Sequence, residues 1–239
     1  MEHEELDLTK PVNVEKYLAW REKDPEYHRR RRENAERLNE GRRSYRLHAG
    51  PVLIDLAAVG YPVDRIADLP SFYRRYPEAV PVLLDWLGRT DMAGIKEDIV
   101  RALTARWIGP DVGARLVDEF RKAPAEGTLR WAVGNALCET ARQDVLDDLM
   151  DIAKDREYGR SRQMVVNGLG RFKRDEVEVV LIGLLDDDDV VGHAVYALGC
   201  LKREHLRAVF ERLIDHHRVL VRREARNAIK KLNRRLKRV

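Results

Sequence analysis

IVRALTAR at 99–106 is the first of five similar stretches that decide the fold of this chain. The other four are VGNALCET at 133–140, VNGLGRF at 166–172, AVYALGCL at 194–201 and ARNAIKKL at 225–232. In each stretch a small residue precedes an aliphatic residue, which stands at positions 103, 137, 169, 198 and 229. The successive spacings are 34, 32, 29 and 31 residues. A recurrence about every 30 residues is typical of a repeat protein, in which neighbouring units stack along one core.

Each repeat is predicted to contain two helices, an A helix and then a B helix that carries the motif. Apolar residues recur at three- and four-residue intervals, as in Val80, Leu83, Leu84 and Leu87. The predicted A helices are at about 78–88, 111–122, 144–154, 175–185 and 204–215. The predicted B helices are at about 93–106, 127–141, 159–172, 188–201 and 218–236. A glycine is expected wherever helices cross closely, at Gly168, Gly170, Gly183, Gly192 and Gly199.

The residues before the repeats are predicted to form an N-terminal cap of irregular helices over 1–77. Residues 1–13 are polar and are expected to form a loose arm. A short helix at about 14–23 and a highly charged helix at about 26–48 follow, and Gly50-Pro51 is expected to end the second one. The fold class is therefore all-α, with the cap at 1–77 and an α-solenoid of about five helical hairpins at 78–239.

Composition limits the class of protein. No apolar run approaches the roughly 20 residues that cross a bilayer, and the acidic N-terminus does not resemble a signal peptide. Two cysteines, Cys138 and Cys200, are too few for a disulfide framework. We therefore predict a cytoplasmic protein with no membrane partner. Basic residues concentrate at 28–46 and 218–238, where they either contact phosphates or cover solvated helices.

A column of basic residues lies seven positions before each motif aliphatic, except in the fourth repeat. The column reads Lys96, Arg130, Arg162, Val191 and Arg222, and acids precede it at Asp91, Glu126, Asp155 and Asp187. With the small–aliphatic pair, this pattern resembles HEAT repeats, particularly the short repeats of bacterial and phycobilin-lyase-like families. The resemblance implies a ladder of acid–base pairs between repeats. At Val191 we expect the cluster 186–189 to bind Arg162 or to cap the next helix instead.

The resemblance also implies that the B helices line a concave surface, where a partner would bind. In each repeat, three positions are expected to face that surface. They stand six residues before the motif aliphatic, two residues before it and two residues after it. The candidate partner-binding residues are Arg101, Trp131, Asn135, Gln163, Asn167, Arg171, Tyr196, Arg223, Asn227 and Lys231.

Two kinds of residue in these columns are informative. Asparagine recurs in mid-helix without a propensity reason, so it either forms a ladder with the neighbouring repeat or contacts a partner. Trp131 either anchors a partner or packs beneath the preceding B helix. The fourth repeat, with Val191, Gly192 and His193, departs from the pattern and is the expected place for a special contact.

No catalytic, metal-binding or cofactor-binding motif is recognisable in the sequence. We therefore predict a non-enzymatic bacterial adaptor, without metal or cofactor, that holds a protein or peptide in its groove. The alternative is a nucleic-acid-binding solenoid, similar to the alkylpurine DNA glycosylases, which are HEAT-like and use groove tryptophans with an aspartate. Here Asn135 stands four residues after Trp131, where that aspartate would be. Mixed charge along the groove would favour a protein, and continuous positive charge a nucleic acid.

Overall fold

The chain was analysed as a computed structural model, which describes residues 13–109 and 111–236. Every regular element in these residues is a helix, so the predicted all-α class is confirmed. The chain divides into two compact units, of which the first ends at Gly50 and the second begins at Pro51. Among the described residues, no helix combines the length and the apolar character needed to cross a membrane. The predicted N-terminal arm lies outside the described residues, apart from Asn13.

The first unit contains α1 (Val14–Lys23) and the beginning of α2 (Pro25–Ala58). Side-chain oxygens start both helices: Asn13 Oδ1 accepts from the amide of Glu15 at 2.8 Å, and Asp24 Oδ1 accepts from the amide of Glu26 at 2.9 Å. No residue of α1 is buried, and most of α2 up to Gly50 is exposed. This agrees with the predicted charged and largely exposed helix.

The prediction that Gly50-Pro51 ends this helix is wrong, because α2 continues to Ala58. Proline lacks an amide hydrogen, so one helical hydrogen bond is lost at Pro51. The residues after it remain helical because Val52 and Leu56 are fully buried within the second unit. Burial of two aliphatic side chains, at about 1.5–3 kcal/mol each, is enough to offset the cost of about 3 kcal/mol for an interior proline.

The second unit continues with eleven helices in the described residues. They are α3 (Leu69–Phe72), α4 (Ala79–Arg89), α5 (Ala93–Ala102), α6 (Asp111–Lys122), α7 (Leu129–Thr140), α8 (Leu146–Lys154), α9 (Gln163–Leu169), α10 (Asp175–Gly183), α11 (Val191–Leu201), α12 (Arg207–Leu213) and α13 (Val219–Leu236). Short 3₁₀ helices lie at Ile66–Asp68, Gln143–Val145, Arg156–Arg162 and Glu204–Leu206. The A helices are α4, α6, α8, α10 and α12, and the B helices are α5, α7, α9, α11 and α13.

Helix packing follows the chain order. Each B helix contacts its own A helix, and successive B helices contact one another from α5 to α13. The motif leucines, from Leu103 to Leu198, are fully buried, whereas Ile229 in the last helix is half-buried. The repeats therefore share a continuous apolar core, because the motif side of each B helix faces its neighbours.

Close approach between B helices depends on glycine. A Cβ added at Gly170 would lie 2.8 Å from Ala197 Cα, and one at Gly168 would lie 3.0 Å from Cys138 Cα. Such distances leave no room for a side chain against backbone. The prediction of a close helix crossing is wrong for Gly183. A Cβ added there would meet nothing within 4 Å, because this position of α10 faces open space.

The boundary between the units differs from the predicted division at residue 77. The 3₁₀ helix Ile66–Asp68 packs against α5, and Ile66 is fully buried. The hydroxyl of Tyr76, which is also buried, donates to the carbonyl oxygen of Ala102 at 2.5 Å. Residues 51–77 therefore belong to the same compact unit as the repeats, because they cover the first repeat's apolar side.

Candidate functional site

The basic column makes contacts at the junctions between repeats. Lys96 Nζ lies 2.7 Å from Glu119 Oε1 on the next A helix, and the Arg130 guanidinium lies 5.1 Å from the ring centroid of Tyr158 in the next repeat. Arg222, in the last repeat, instead donates to the carbonyl oxygens of His216 and His217, which precede its own helix. Lys96 and Arg130 thus contact the next repeat, whereas Arg222 holds the loop before its own helix.

The junction between the third and fourth repeats buries a charged pair. Arg162 is fully buried, and its Nη2 donates to Asp187 Oδ2 at 2.6 Å while its Nη1 donates to Ala153 O at 2.7 Å. Burial alone would raise the pKa of Asp187, but the hydrogen bonds from Arg162 and from the Asp189 amide, with the nearby guanidinium charges, lower it below its usual value. The prediction that the cluster 186–189 binds Arg162 is confirmed.

The other acids expected in the ladder have different roles. The Asp155 side chain accepts from the amide of Glu157 at 3.0 Å, which starts the 3₁₀ helix Arg156–Arg162. The partner of Lys96 is Glu119 in an A helix, not an acid of the A–B loop. The expected acid column is therefore wrong at Asp155, which caps a local turn, and for Lys96, which pairs with an A-helix acid instead.

The ten candidate partner-binding residues all lie on the B helices or directly after them. We call the side of α5, α7, α9, α11 and α13 that carries them the B-helix surface. The exposed members are Arg101, Trp131, Arg171, Tyr196 and Arg223. The half-buried members are Asn135, Gln163, Asn167, Asn227 and Lys231. None of the ten is buried in the core, so all are placed where a partner could contact them.

Two large aromatic side chains are exposed on this surface. Trp131 in α7 is 44% exposed and Tyr196 in α11 is 40% exposed. By contrast, Trp86 donates from Nε1 to Asp55 Oδ2 at 2.8 Å, and the Trp107 ring lies 5.0 Å from that of Tyr76. Trp131 is therefore more accessible than an ordinary core tryptophan, whereas Trp86 and Trp107 have structural contacts.

The hydrogen bonds given by Asn167 and Asn227 stay within their own helices and do not form the ladder that was one interpretation of the asparagine column. Asn227 Nδ2 lies 3.4 Å from Glu224 Oε2, one turn earlier in its own helix. Asn167 Nδ2 lies 3.7 Å from the sulfur of Met164, again in its own helix, and Asn167 Oδ1 is buried without a hydrogen-bond partner. An unsatisfied buried acceptor costs about 1–3 kcal/mol, so this amide oxygen does not stabilise the fold.

Charge on the B-helix surface is mixed. Arg101 Nη2 lies 2.5 Å from Glu97 Oε1, and Arg223 Nε lies 2.8 Å from Glu224 Oε1. Hydrogen bonds from Thr128 and from Arg101 lower the pKa of Glu97. Arg106 Nε, just beyond α5, likewise lies 2.7 Å from Glu139 Oε2. These arginines are neutralised by carboxylates on the same surface, so they do not form a continuous positive strip.

A second group of cations near the end of α11 binds neutral atoms. Lys231 Nζ lies 5.0 Å from the Tyr196 ring centroid and 3.8 Å from Cys200 Sγ. Lys173 Nζ donates to the carbonyl oxygen of Cys200, and Arg171 Nη1 donates to that of Cys138. Sequence reasoning missed Lys173, which follows Leu169 by four positions and lies outside the three columns considered. A basic residue at the end of each B helix is the signal that could have found it.

The fourth repeat contains a small cleft, of about 120 Å³, between the starts of α9, α11 and α13. Its arginines are paired: Arg160 Nε lies 3.4 Å from Asp189 Oδ1, and Arg218 Nη2 lies 3.3 Å from Asp188 Oδ1. Burial lowers the pKa of His193 in its wall, against the opposing charge of Glu224. The residues of the fourth repeat that depart from the pattern, Val191, Gly192 and His193, therefore line a cleft whose arginines are paired with aspartates.

The Cys138 thiol on this surface is poorly suited to nucleophilic chemistry. Burial raises the pKa of the Cys138 thiol to about 11, so this thiol is protonated and a weak nucleophile at neutral pH. Within residues 13–109 and 111–236, no three His, Cys, Asp or Glu side chains are grouped so that they could hold a metal ion. The arrangement presents aromatic rings, amides and paired charges, which suit recognition of another molecule.

Comparisons of the chain with protein-family models, with curated proteins and with solved structures found no match.

Proposed function

We propose that this chain is a non-enzymatic, HEAT-like α-solenoid adaptor that holds a protein segment on its B-helix surface. The single observation that carries the proposal is the exposure of Trp131 and Tyr196 on that surface. Rigid aromatic side chains provide large contact areas at low entropic cost, and they are enriched among the residues that dominate binding energy. The half-buried asparagines beside them add polar groups that can bind a peptide backbone.

The charge pattern supports a protein partner over a nucleic acid. Arg101 and Arg223, two of the four cations that would line a phosphate track, are paired with Glu97 and Glu224. Phosphate binding would require these pairs to break, which reduces the electrostatic gain on which nucleic-acid affinity depends. The half-buried free thiols Cys138 and Cys200 agree with a cytoplasmic location, where thiols remain reduced.

The proposal can be tested with a random peptide library displayed on phage and selected against the purified chain. Selected peptides, made synthetically and labelled with fluorescein, are titrated against wild type, Trp131→Ala and Tyr196→Ala. Loss of an anchor residue is expected to weaken binding at least about tenfold, since such residues contribute about 2 kcal/mol or more. Unfolding in urea should change by less than about 1 kcal/mol, because both side chains are exposed.

Phe72→Ala is the matched control, because Phe72 is 72% exposed but lies on α3, which is not one of the B helices. It should bind the selected peptides as wild type does. Selection of peptides that bind equally well to Trp131→Ala and Tyr196→Ala would refute the proposal. Tight binding of labelled duplex DNA, weakening steeply with salt, would instead support the nucleic-acid alternative.

A further inference from the structure

Two lysines from different repeats converge on Cys200. Lys173, which follows α9, donates to the Cys200 carbonyl oxygen, and Lys231 Nζ in α13 lies 3.8 Å from the Cys200 sulfur. The Lys231 ammonium also lies 5.0 Å from the Tyr196 ring centroid. Two positive charges and one exposed aromatic ring therefore meet at one point of the B-helix surface.

Positive charge around this point is in excess. Partial burial lowers the pKa of Lys173, and the positive charges of Lys202, Arg203 and Lys231 lower it further. Arg203 is bound to Asp175 at 2.5 Å and to Glu178 at 2.9 Å, but in the described part of the chain the contacts of Lys173 and Lys231 are with neutral atoms. An anion placed between these two ammonium groups would relieve their mutual repulsion.

The described part of the B-helix surface does not supply that anion. Its carboxylates are already engaged: Glu97 with Arg101, Glu139 with Arg106 and Glu224 with Arg223. The negative charge must therefore come from the bound molecule. A carboxylate there would accept from two ammonium groups while the neighbouring side chain packs on Tyr196, and charge-assisted hydrogen bonds of this kind are about twice as strong as neutral ones.

We propose that the partner segment is acidic, and that an Asp or Glu carboxylate of this segment binds between Lys173 and Lys231, beside the ring of Tyr196. This inference rests on the proposed function, since it names the chemistry of the partner on the same surface. Lys173 and Lys231 determine specificity for charge, while Trp131 and Tyr196 provide apolar contact.

The test uses the peptides selected on phage. Acidic residues should be enriched among them, and replacing each Asp or Glu of a peptide by Asn or Gln should weaken binding. The double variant Lys173→Gln/Lys231→Gln should bind the acidic peptide about tenfold more weakly, which corresponds to about 0.7 kcal/mol for each partly exposed contact. Wild type and double variant should bind the amide-substituted peptide equally, which a merely structural role of the lysines would not produce.

The matched control is Lys122→Gln/Lys154→Gln, which removes the same charge from two exposed lysines on the A helices. It should leave affinity for the acidic peptide unchanged at moderate ionic strength. If both double variants weaken binding equally, the effect is one of net charge and the inference fails. If peptides require Trp131 and Tyr196 but are neutral or basic, the inference fails while the proposed function stands.

Two further outcomes are informative. If no selected peptide depends on Trp131 or Tyr196, the proposed function fails, and the inference fails with it. If duplex DNA binds and only Lys173→Gln/Lys231→Gln weakens it, the anion is a phosphate of nucleic acid, and the proposal of an acidic peptide is wrong.

Discussion

Arg162 directly precedes α9 and Arg171 follows it, and the two side chains differ in burial and in the groups that they bind. Arg162 is fully buried and binds Asp187 of the next repeat, whereas Arg171 is exposed and donates to the carbonyl oxygen of Cys138. The junctions between repeats thus enclose charges that must be paired, because an unpaired charge in the core is very costly. The B-helix surface leaves charges and rings accessible. The same residue type therefore stabilises the stack at one position and is accessible to a partner at the other.

The largest change in stability is expected when the buried guanidinium of Arg162 is removed. Arg162→Ala removes the buried hydrogen-bond partner of Asp187 and leaves this carboxylate only the exposed Arg156, at 3.5 Å, so it should lower the free energy of unfolding by about 3 kcal/mol. Urea unfolding followed by circular dichroism measures the change. Arg160→Ala, at a side chain that is 77% exposed, should change stability by less than about 0.5 kcal/mol. Equal small effects in the two variants would mean that the junction does not depend on the buried pair.

A smaller effect is expected from overpacking between B helices. Gly170→Ala forces a Cβ to within 2.8 Å of Ala197 backbone atoms, so α9 and α11 must move apart, at a cost of about 1–3 kcal/mol. Gly183→Ala is the control, because it adds the same methyl group to open space at the end of α10. Melting temperatures should fall for the first variant and stay equal or rise for the second. A fall in both would point to backbone conformation rather than packing as the cause.

Asn167 offers a change in the opposite direction. Asn167→Leu removes a buried acceptor that has no hydrogen-bond partner, so stability should rise by about 1 kcal/mol. Asn227→Leu stands in the same column and gains the same helix propensity, but it loses a contact with Glu224. The difference between the two variants in urea unfolding isolates the unsatisfied acceptor. If Asn227→Leu stabilised the chain more than Asn167→Leu does, the amide oxygen of Asn167 would not be an unsatisfied buried acceptor.

The smallest expected effect is a dependence on pH at His193. Burial lowers its pKa in the folded chain below the ordinary value of 6.5, so the unfolded chain binds the proton more readily. Stability is therefore complete above pH 6.5 and is lost as the pH falls from 6.5 towards the folded pKa. His193→Gln should flatten this part of the stability profile and match wild type above it, after correction for any constant offset. Parallel profiles across the whole range would rule out this contribution.

Periodicity in the sequence predicted most of the helices, because the small–aliphatic pair recurs wherever a B helix meets its neighbours. Because Val191 interrupts the basic column, periodicity also predicted that the acidic cluster would either bind Arg162 or cap the next helix, and the first alternative is the one observed. It could not predict that α2 continues through Pro51, which depends on the burial of Val52 and Leu56 by residues distant in the chain.

For the candidate site, the sequence predicted which residues share a face of the B helices but not which contacts these residues make. Register placed Trp131 and Tyr196 correctly on the exposed side of the B helices, because helical geometry determines which residues share a face. It missed Lys173, which reaches the surface from a loop, where no helical period applies. The pairing of Arg101 and Arg223 with carboxylates depends on side-chain conformations, which a column of residue types does not determine.

Hydroxyl-radical footprinting of the chain, with and without a phage-selected peptide, tests most directly whether a partner binds to the B-helix surface. Radical oxidation reports the solvent access of individual tryptophan and tyrosine side chains. The peptide is expected to protect Trp131 and Tyr196 from oxidation, while Trp86, which is hydrogen-bonded to Asp55 in the same unit, keeps its oxidation rate. Unchanged oxidation of Trp131 and Tyr196 in the saturated complex would contradict the claim that the B-helix surface is where a partner binds.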